Sequence, residues 1–131
     1  MSPENLVAHV RAAYSRKGPF KPFAYHDLDG DCIEFFVSNE PFTAQRVDSW
    51  LTVYHGDHSQ KIIGSLIKGV SRLLSQHPGL VVIDVECGHV RLAHILRARA
   101  WSVGDEITLK SYKGIIEVAE QQSVVAELQP A

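Results

Sequence analysis

Hydrophobic and polar residues change their spacing several times along the chain, and each change marks a predicted element. A period of two is typical of strands with one buried face. It recurs in five segments, which are residues 32–38, 49–55, 61–66, 80–86 and 107–111. Because Gly56-Asp57 is a turn signal, the second and third strands form a predicted hairpin. Gly64 inside this hairpin indicates a bulge or a close backbone approach.

Spacings of three and four positions predict helices in residues 2–17, 67–77 and 113–128. Residues 88–101 fit two alternatives, a short strand around Val90 or a helix around Leu96. Residues 39–46 are predicted to be a connection, with one helical turn as an option. The pattern therefore predicts an α+β fold, with a mostly antiparallel five-stranded sheet and helices packed on one face.

Length and composition place the chain among ordinary globular proteins. Its 131 residues predict a single domain over residues 1–131. Hydrophobic residues make up 45% and charged residues 21%, which argues against disorder, a fibrous repeat or a disulfide-rich miniprotein. Thirteen Lys and Arg face fifteen Asp and Glu, so the balance gives no indication of a nucleic-acid partner.

The ends and the cysteines predict a cytoplasmic location. The first residues are polar and lead into an amphipathic pattern, so we expect no signal peptide. Apolar runs stay far below the roughly 20 residues of a membrane helix, so we expect no membrane association. Cys32 and Cys87 have neither metal-site nor redox spacing, and we expect both to be reduced thiols.

The predicted hairpin tip carries the strongest candidate metal site. His55, Asp57 and His58 place two imidazoles and a carboxylate close together, and such a set could supply three ligands to zinc or iron. A complete site would need a further ligand from elsewhere, such as His26, His89 or His94. The alternative is a polar turn with exposed imidazoles.

A second acidic turn partly matches a calcium-binding loop. Asp27, Asp29 and Asp31 stand at the first, third and fifth positions of that pattern. Its sixth position requires a sharp turn at Gly, and its twelfth requires a bidentate Glu, but Cys32 and Ser38 stand there. We therefore interpret the segment as a solvated turn.

Two more clusters contain groups that could take part in catalysis or in anion binding. Cys87 and His89 follow two carboxylates, yet the strand phase places Cys87 on the apolar side, where thiols are usually inert. Arg91, Arg97 and Arg99 surround His94 and could hold a phosphate or a carboxylate. The alternative for these arginines is ordinary surface charge.

One stretch of the chain resembles a known family. It combines Tyr25, Asp27 and Asp31 with a strand over residues 32–36, followed by a hairpin that contains Ile62-Ile63-Gly64. In this pattern, residues 25–67 resemble a small bacterial domain family of unknown function, although His26 stands where that family has Asp. The resemblance implies a sheet core and no catalytic residues.

The sequence favours a non-enzymatic module that binds itself or a partner protein. Trp50, Tyr54, Phe36 and Trp101 offer more aromatic surface than one small core requires, and Trp and Tyr are favoured at interfaces. A homodimer is the expected form, because homodimers are the commonest oligomers. The alternative is a small metal-binding protein or a metal-dependent enzyme that uses the hairpin tip.

Overall fold

A computed structural model of the protein describes residues 20–77 and 89–128. The strands are β1 Phe23–Asp27, β2 Cys32–Phe36, β3 Phe42–Arg46, β4 Leu51–Gly56, β5 Ile62–Lys68, β6 His89–Arg91 and β7 Val125–Glu127. The helices are α1 Val70–Gln76, α2 Leu92–Ala100 and α3 Glu106–Gln121. The helix predicted at residues 2–17 and the strand predicted at residues 80–86 lie outside the described residues. No helix in the described ranges is long and apolar enough to cross a membrane.

Five strands form one antiparallel sheet in the order β1-β2-β5-β4-β3. The β1–β2 hairpin and the β3-β4-β5 meander meet where β2 pairs with β5. A separate pair, β6 and β7, is also antiparallel. The predicted α+β class and antiparallel five-stranded sheet are therefore confirmed. Residues 88–101 contain both predicted alternatives, since β6 leads directly into α2.

Two segments of the chain have a different secondary structure from the one predicted. Residues 39–46 were predicted to be a connection but contain β3, an edge strand whose last four residues are exposed and therefore lack alternating burial. Residues 107–111 were predicted to be a strand but form the start of α3. Asp105 begins this helix, because its carboxylate accepts hydrogen bonds from both the backbone N–H and the hydroxyl of Thr108.

Helix α3 also ends earlier than the predicted 113–128. Ser123 has a positive φ of 49°. Its N–H donates to the carbonyl of Glu120, and the N–H of Val124 donates to that of Ala119. This pair of hydrogen bonds is the Schellman arrangement, which satisfies the last carbonyls of the helix. The chain then turns into β7, which runs beside β6.

The main core lies between one face of the sheet and the helices. Alternate strand residues point into it, and so do the inner sides of the helices. Its fully buried members include Ile33, Phe35, Leu51 and Ile67 of the sheet and Leu92, Ile95, Leu96, Tyr112 and Ile115 of the helices. Each such side chain contributes roughly 1.5–3 kcal/mol by leaving water. The helices are thereby held on one face, as predicted.

The opposite face of the sheet carries a smaller, aromatic core. Phe36 and Tyr54 stack with ring centroids 5.3 Å apart, and Phe42 packs against both. Gly64 lies between Phe36 and Tyr54 in the strand register, and a Cβ there would lie 3.2 Å from the Tyr54 ring and 2.2 Å from the carbonyl oxygen of Phe35. The register of β4 against β5 shifts between Tyr54 and His55. Of the two alternatives predicted at Gly64, the close backbone approach is therefore confirmed, and the register shift beside it is consistent with a bulge.

Trp50 connects the sheet to the helical layer. The guanidinium carbon of Arg99 lies 4.3 Å from the centroid of the Trp50 ring. Nε and Nη2 of Arg99 are buried without a hydrogen-bond partner among the described residues, so the ring face compensates this cation. Gly69, with φ +71°, leaves room for the ring, because a Cβ there would come within 2.7 Å of it.

We expect Gly69→Ala to lower the free energy of unfolding by about 2 kcal/mol. The positive φ alone costs an L-residue about 1–2 kcal/mol, and the added methyl group displaces the Trp50 ring. Denaturant unfolding measures the change, with the exposed neighbour Lys68→Ala as the control. Equal midpoints for the two variants would contradict this packing.

We expect Glu34→Gln to raise the melting temperature at neutral pH. Glu34 accepts a hydrogen bond from the Tyr54 hydroxyl, and burial raises the pKa of Glu34 above its usual 4.5. The pKa of Glu34 is therefore higher in the folded than in the unfolded protein. The contribution of this group to stability is complete below its unfolded-state pKa and is lost as the pH rises through its folded-state pKa. The amide keeps an acceptor for Tyr54 without the buried charge. Thermal melts should therefore differ most at neutral pH and converge in acid, whereas a pH-independent difference would contradict this explanation.

Candidate interaction surface

Helix α2 has two faces of different character. Leu92, Ile95 and Leu96 are fully buried against the core. On the other side, residues recur at spacings of three and four, which places them along one stripe of a helix and its ends. We call this set the outer stripe; it consists of Arg91, His94, Arg97, Ala98 and Trp101.

Trp101 is the most exposed large hydrophobic residue among the described ranges. It caps the C-terminal end of α2, and 89% of its surface is accessible to solvent. Tryptophan is usually highly buried, even when it is not fully enclosed. A large apolar ring in contact with solvent is therefore a candidate contact for a partner.

An apolar groove lies beside this indole ring. Its volume is about 500 Å³, and it is lined by His77, His94, Arg97, Ala98 and Trp101. His77 is the C-cap of α1, so the groove runs between the end of α1 and the outer stripe of α2. It is open to solvent over most of its extent, so a side chain of a partner could enter it from the surface. We call it the Trp101 groove.

A second, polar cavity adjoins the same stripe. It has a volume of about 270 Å³. Arg91, His94 and Arg97 line one side, and Glu120 and Ser123 at the end of α3 line the other. Arg97 forms an ion pair with Glu120, and both side chains are about half exposed. We call this cavity the basic cleft.

The two arginines determine the electrostatics of the basic cleft. Burial lowers the pKa of His94 below 6.5, and the charges of Arg97 and then Arg91 lower it further. His94 is therefore mainly neutral at neutral pH. Among the described residues that line the cleft, the fixed charges are two guanidinium groups and the single carboxylate of Glu120.

The structure separates the predicted basic set. Arg91, His94 and Arg97 line one cleft although the two arginines are six positions apart. Arg99 lies on the opposite side of α2 and stacks on Trp50. The four aromatic residues predicted to lie at an interface differ in burial. Phe36 and Tyr54 are buried core residues, Trp50 is half-buried, and Trp101 is exposed.

The predicted metal ligands lie at the β4–β5 hairpin tip and engage in local hydrogen bonds. Nε2 of His55 lies 2.7 Å from Oε1 of Gln45. The Thr43 hydroxyl donates to Oδ1 of Asp57 at 2.8 Å. His58 is exposed. Within residues 20–77 and 89–128, no three His, Cys, Asp or Glu side chains are placed to hold a metal ion. The metal site at His55, Asp57 and His58 stays a prediction.

The acidic turn has a structural role that its sequence did not reveal. Oδ1 of Asp31 accepts hydrogen bonds from the backbone N–H and the hydroxyl of Ser71 in α1. Asp27 is buried, and its Oδ1 accepts from the N–H of Asp29. Both carboxylates therefore stabilise the turn and the start of a helix. The Cys87 cluster lies outside the described residues, except for the backbone of His89.

Comparisons with protein-family models, curated proteins and solved structures each found no match to this chain. The resemblance of residues 25–67 to a small bacterial family therefore stays a prediction. Function is inferred from the outer stripe and its two cavities.

We expect Arg97→Gln to raise the pKa of His94. Removal of a neighbouring positive charge stabilises the imidazolium form, which Arg97 now disfavours. Proton NMR titration of the histidine ring signals measures the shift, and His94→Gln assigns the signal. Lys110→Gln removes an exposed charge that lines neither cavity and should leave the titration unchanged. An unchanged His94 titration in Arg97→Gln would contradict the proximity of the two groups.

Proposed function

We propose that this protein is an interaction module that binds a partner protein through the outer stripe of α2, with Trp101 as the anchor. The observation that carries the proposal is the 89% exposed indole ring beside the Trp101 groove. Trp and Arg dominate the binding energy of many protein interfaces, and both occur in this stripe.

The indole ring offers more binding energy than any other exposed side chain of the described ranges. Burial of a Trp side chain removes 150–250 Å² from water, which corresponds to about 4–6 kcal/mol before the costs of association. Ile107 is the next most exposed large hydrophobic residue, at 80%, but it lines neither cavity. Trp101 is therefore the best candidate for a hot spot.

The inner face of α2 prepares the outer stripe for binding. Leu92, Ile95 and Leu96 are buried in the core, and Arg99 is held on Trp50. The helix backbone therefore needs little ordering when a partner binds, and less entropy is lost. A stripe on a fixed helix suits recognition of a surface or an extended segment.

A second copy of this chain is the simplest partner, and the predicted homodimer stays a prediction. In a two-fold dimer, the same patch contacts itself. Pairing of two outer stripes would bring two basic clefts into one interface, and the excess of positive charge in each cleft opposes association. This charge pattern favours a different protein on the outer stripe over a second copy.

We expect a photo-crosslinking amino acid at position 98, where Ala98 lines the Trp101 groove, to form adducts in cells that express the protein, because this substitution leaves Trp101 in place. The same amino acid at position 61 serves as the control, because Lys61 is exposed and lines neither cavity. The mass of the adduct distinguishes a second copy from another protein. No adduct at position 98, or the same adducts at positions 98 and 61, would contradict the proposal.

A stability control accompanies this experiment. Trp101→Ser should change the free energy of unfolding by less than about 0.5 kcal/mol, because the side chain has few contacts to lose. A larger loss in denaturant unfolding would assign Trp101 a structural role instead.

A further inference from the structure

We infer that the partner presents an acidic segment, with an apolar side chain for the Trp101 groove and a neighbouring carboxylate for the basic cleft. This inference rests on the proposed function and adds the chemistry of the partner. Its basis is the juxtaposition of an apolar cavity and a cationic cavity on one helix.

The two cavities are adjacent because they share residues. His94 and Arg97 line both of them, while Trp101 lines only the groove and Arg91 only the cleft. A partner segment that crosses α2 would therefore contact the apolar groove and the basic cleft with side chains that are only a few residues apart in its own sequence. Segments with one apolar anchor and a nearby charge fit such a surface.

The sign of the charge in the cleft selects a carboxylate. Arg91 and Arg97 carry two fixed positive charges, and Glu120 supplies one negative charge. His94 adds little charge at neutral pH, because its pKa is lowered. A partner carboxylate would balance the remaining charge, and guanidinium groups bind carboxylates through charge-assisted, often bidentate hydrogen bonds.

Glu120 prepares Arg97 for this contact. The ion pair holds the guanidinium group of Arg97 between α2 and α3 when no partner is bound. Since both side chains are about half exposed, the pair contributes little to stability and can be shared or exchanged. A partner carboxylate can therefore bind Arg91 and compete with Glu120 for Arg97 at small cost.

Peptide selection tests the chemistry of the partner and does not require its identity. A phage-displayed library of random peptides is selected on the purified full-length protein, on Trp101→Ser, and on Arg91→Gln/Arg97→Gln. Lys61→Gln is the matched control, because it removes one exposed charge outside both cavities. We expect enriched sequences with Asp or Glu beside an aliphatic or aromatic residue on the unaltered protein and the control.

The strongest peptide is then synthesised, and its affinity is measured by fluorescence anisotropy. We expect Arg97→Gln to weaken binding about five- to tenfold, which corresponds to about 1–1.4 kcal/mol. Trp101→Ser should weaken it at least tenfold, and Lys61→Gln should leave it unchanged. Added salt should weaken binding to the unaltered protein more than binding to Arg91→Gln/Arg97→Gln.

The outcomes separate the inference from the proposed function. Enriched peptides that depend on Trp101 but are neutral or basic would overturn the acidic partner and leave the interaction surface in place. Absence of enrichment, or equal enrichment on Trp101→Ser, would overturn both. A dimer that dissociates in Trp101→Ser, seen by sedimentation velocity without peptide, would place a second copy on the surface and overturn the inference.

Discussion

The carboxylate of Asp48 links the helical layer to the sheet through hydrogen bonds. Its Oδ1 accepts hydrogen bonds from the backbone N–H groups of Trp50 and Leu51, and its Oδ2 accepts from the Tyr112 hydroxyl of α3. Burial and the neighbouring Asp48 raise the pKa of Tyr112, so its hydroxyl stays protonated and remains a donor. The turn before β4 and the middle of α3 are thereby held together. Because α2 packs against α3, the position of α2 also depends on this contact.

The division of α2 into two faces follows from this arrangement. The inner side of α2 packs in the core and against Trp50, while the residues of its outer stripe contribute little to stability. Exposed hydrophobic surface is a liability in a protein that has no use for it. The position of a solvated indole ring beside two guanidinium groups therefore supports a role in binding, and the buried inner face holds the helix backbone beneath these groups in place.

Burial explains which parts of the fold were readable from the sequence. Strands β2, β4 and β5 each separate two environments, so their side chains alternate and the prediction succeeds. The edge strand β3 buries few side chains, and the first turn of α3 exposes Ile107. In both segments the spacing of hydrophobic residues therefore does not indicate the secondary structure that forms. Contacts between distant residues, such as Asp31 with Ser71 and Asp48 with Tyr112, leave no local signal. The sequence identified the arginines and Trp101 as candidates, but only the helix places Arg91 and Arg97 in one cleft and Arg99 on the opposite side.

A substitution scan of α2 with two readouts tests the two-faced helix most directly. Resistance to proteolysis reports the folded fraction, and retention on an immobilised acidic peptide, selected on the unaltered protein, reports binding. We expect polar substitutions at Leu92, Ile95 and Leu96 to lose both signals. Substitutions at Arg91, Arg97 and Trp101 should lose retention while protease resistance stays intact. Loss of protease resistance along the outer stripe, or full retention after its substitution, would contradict the assignment of this face to partner binding.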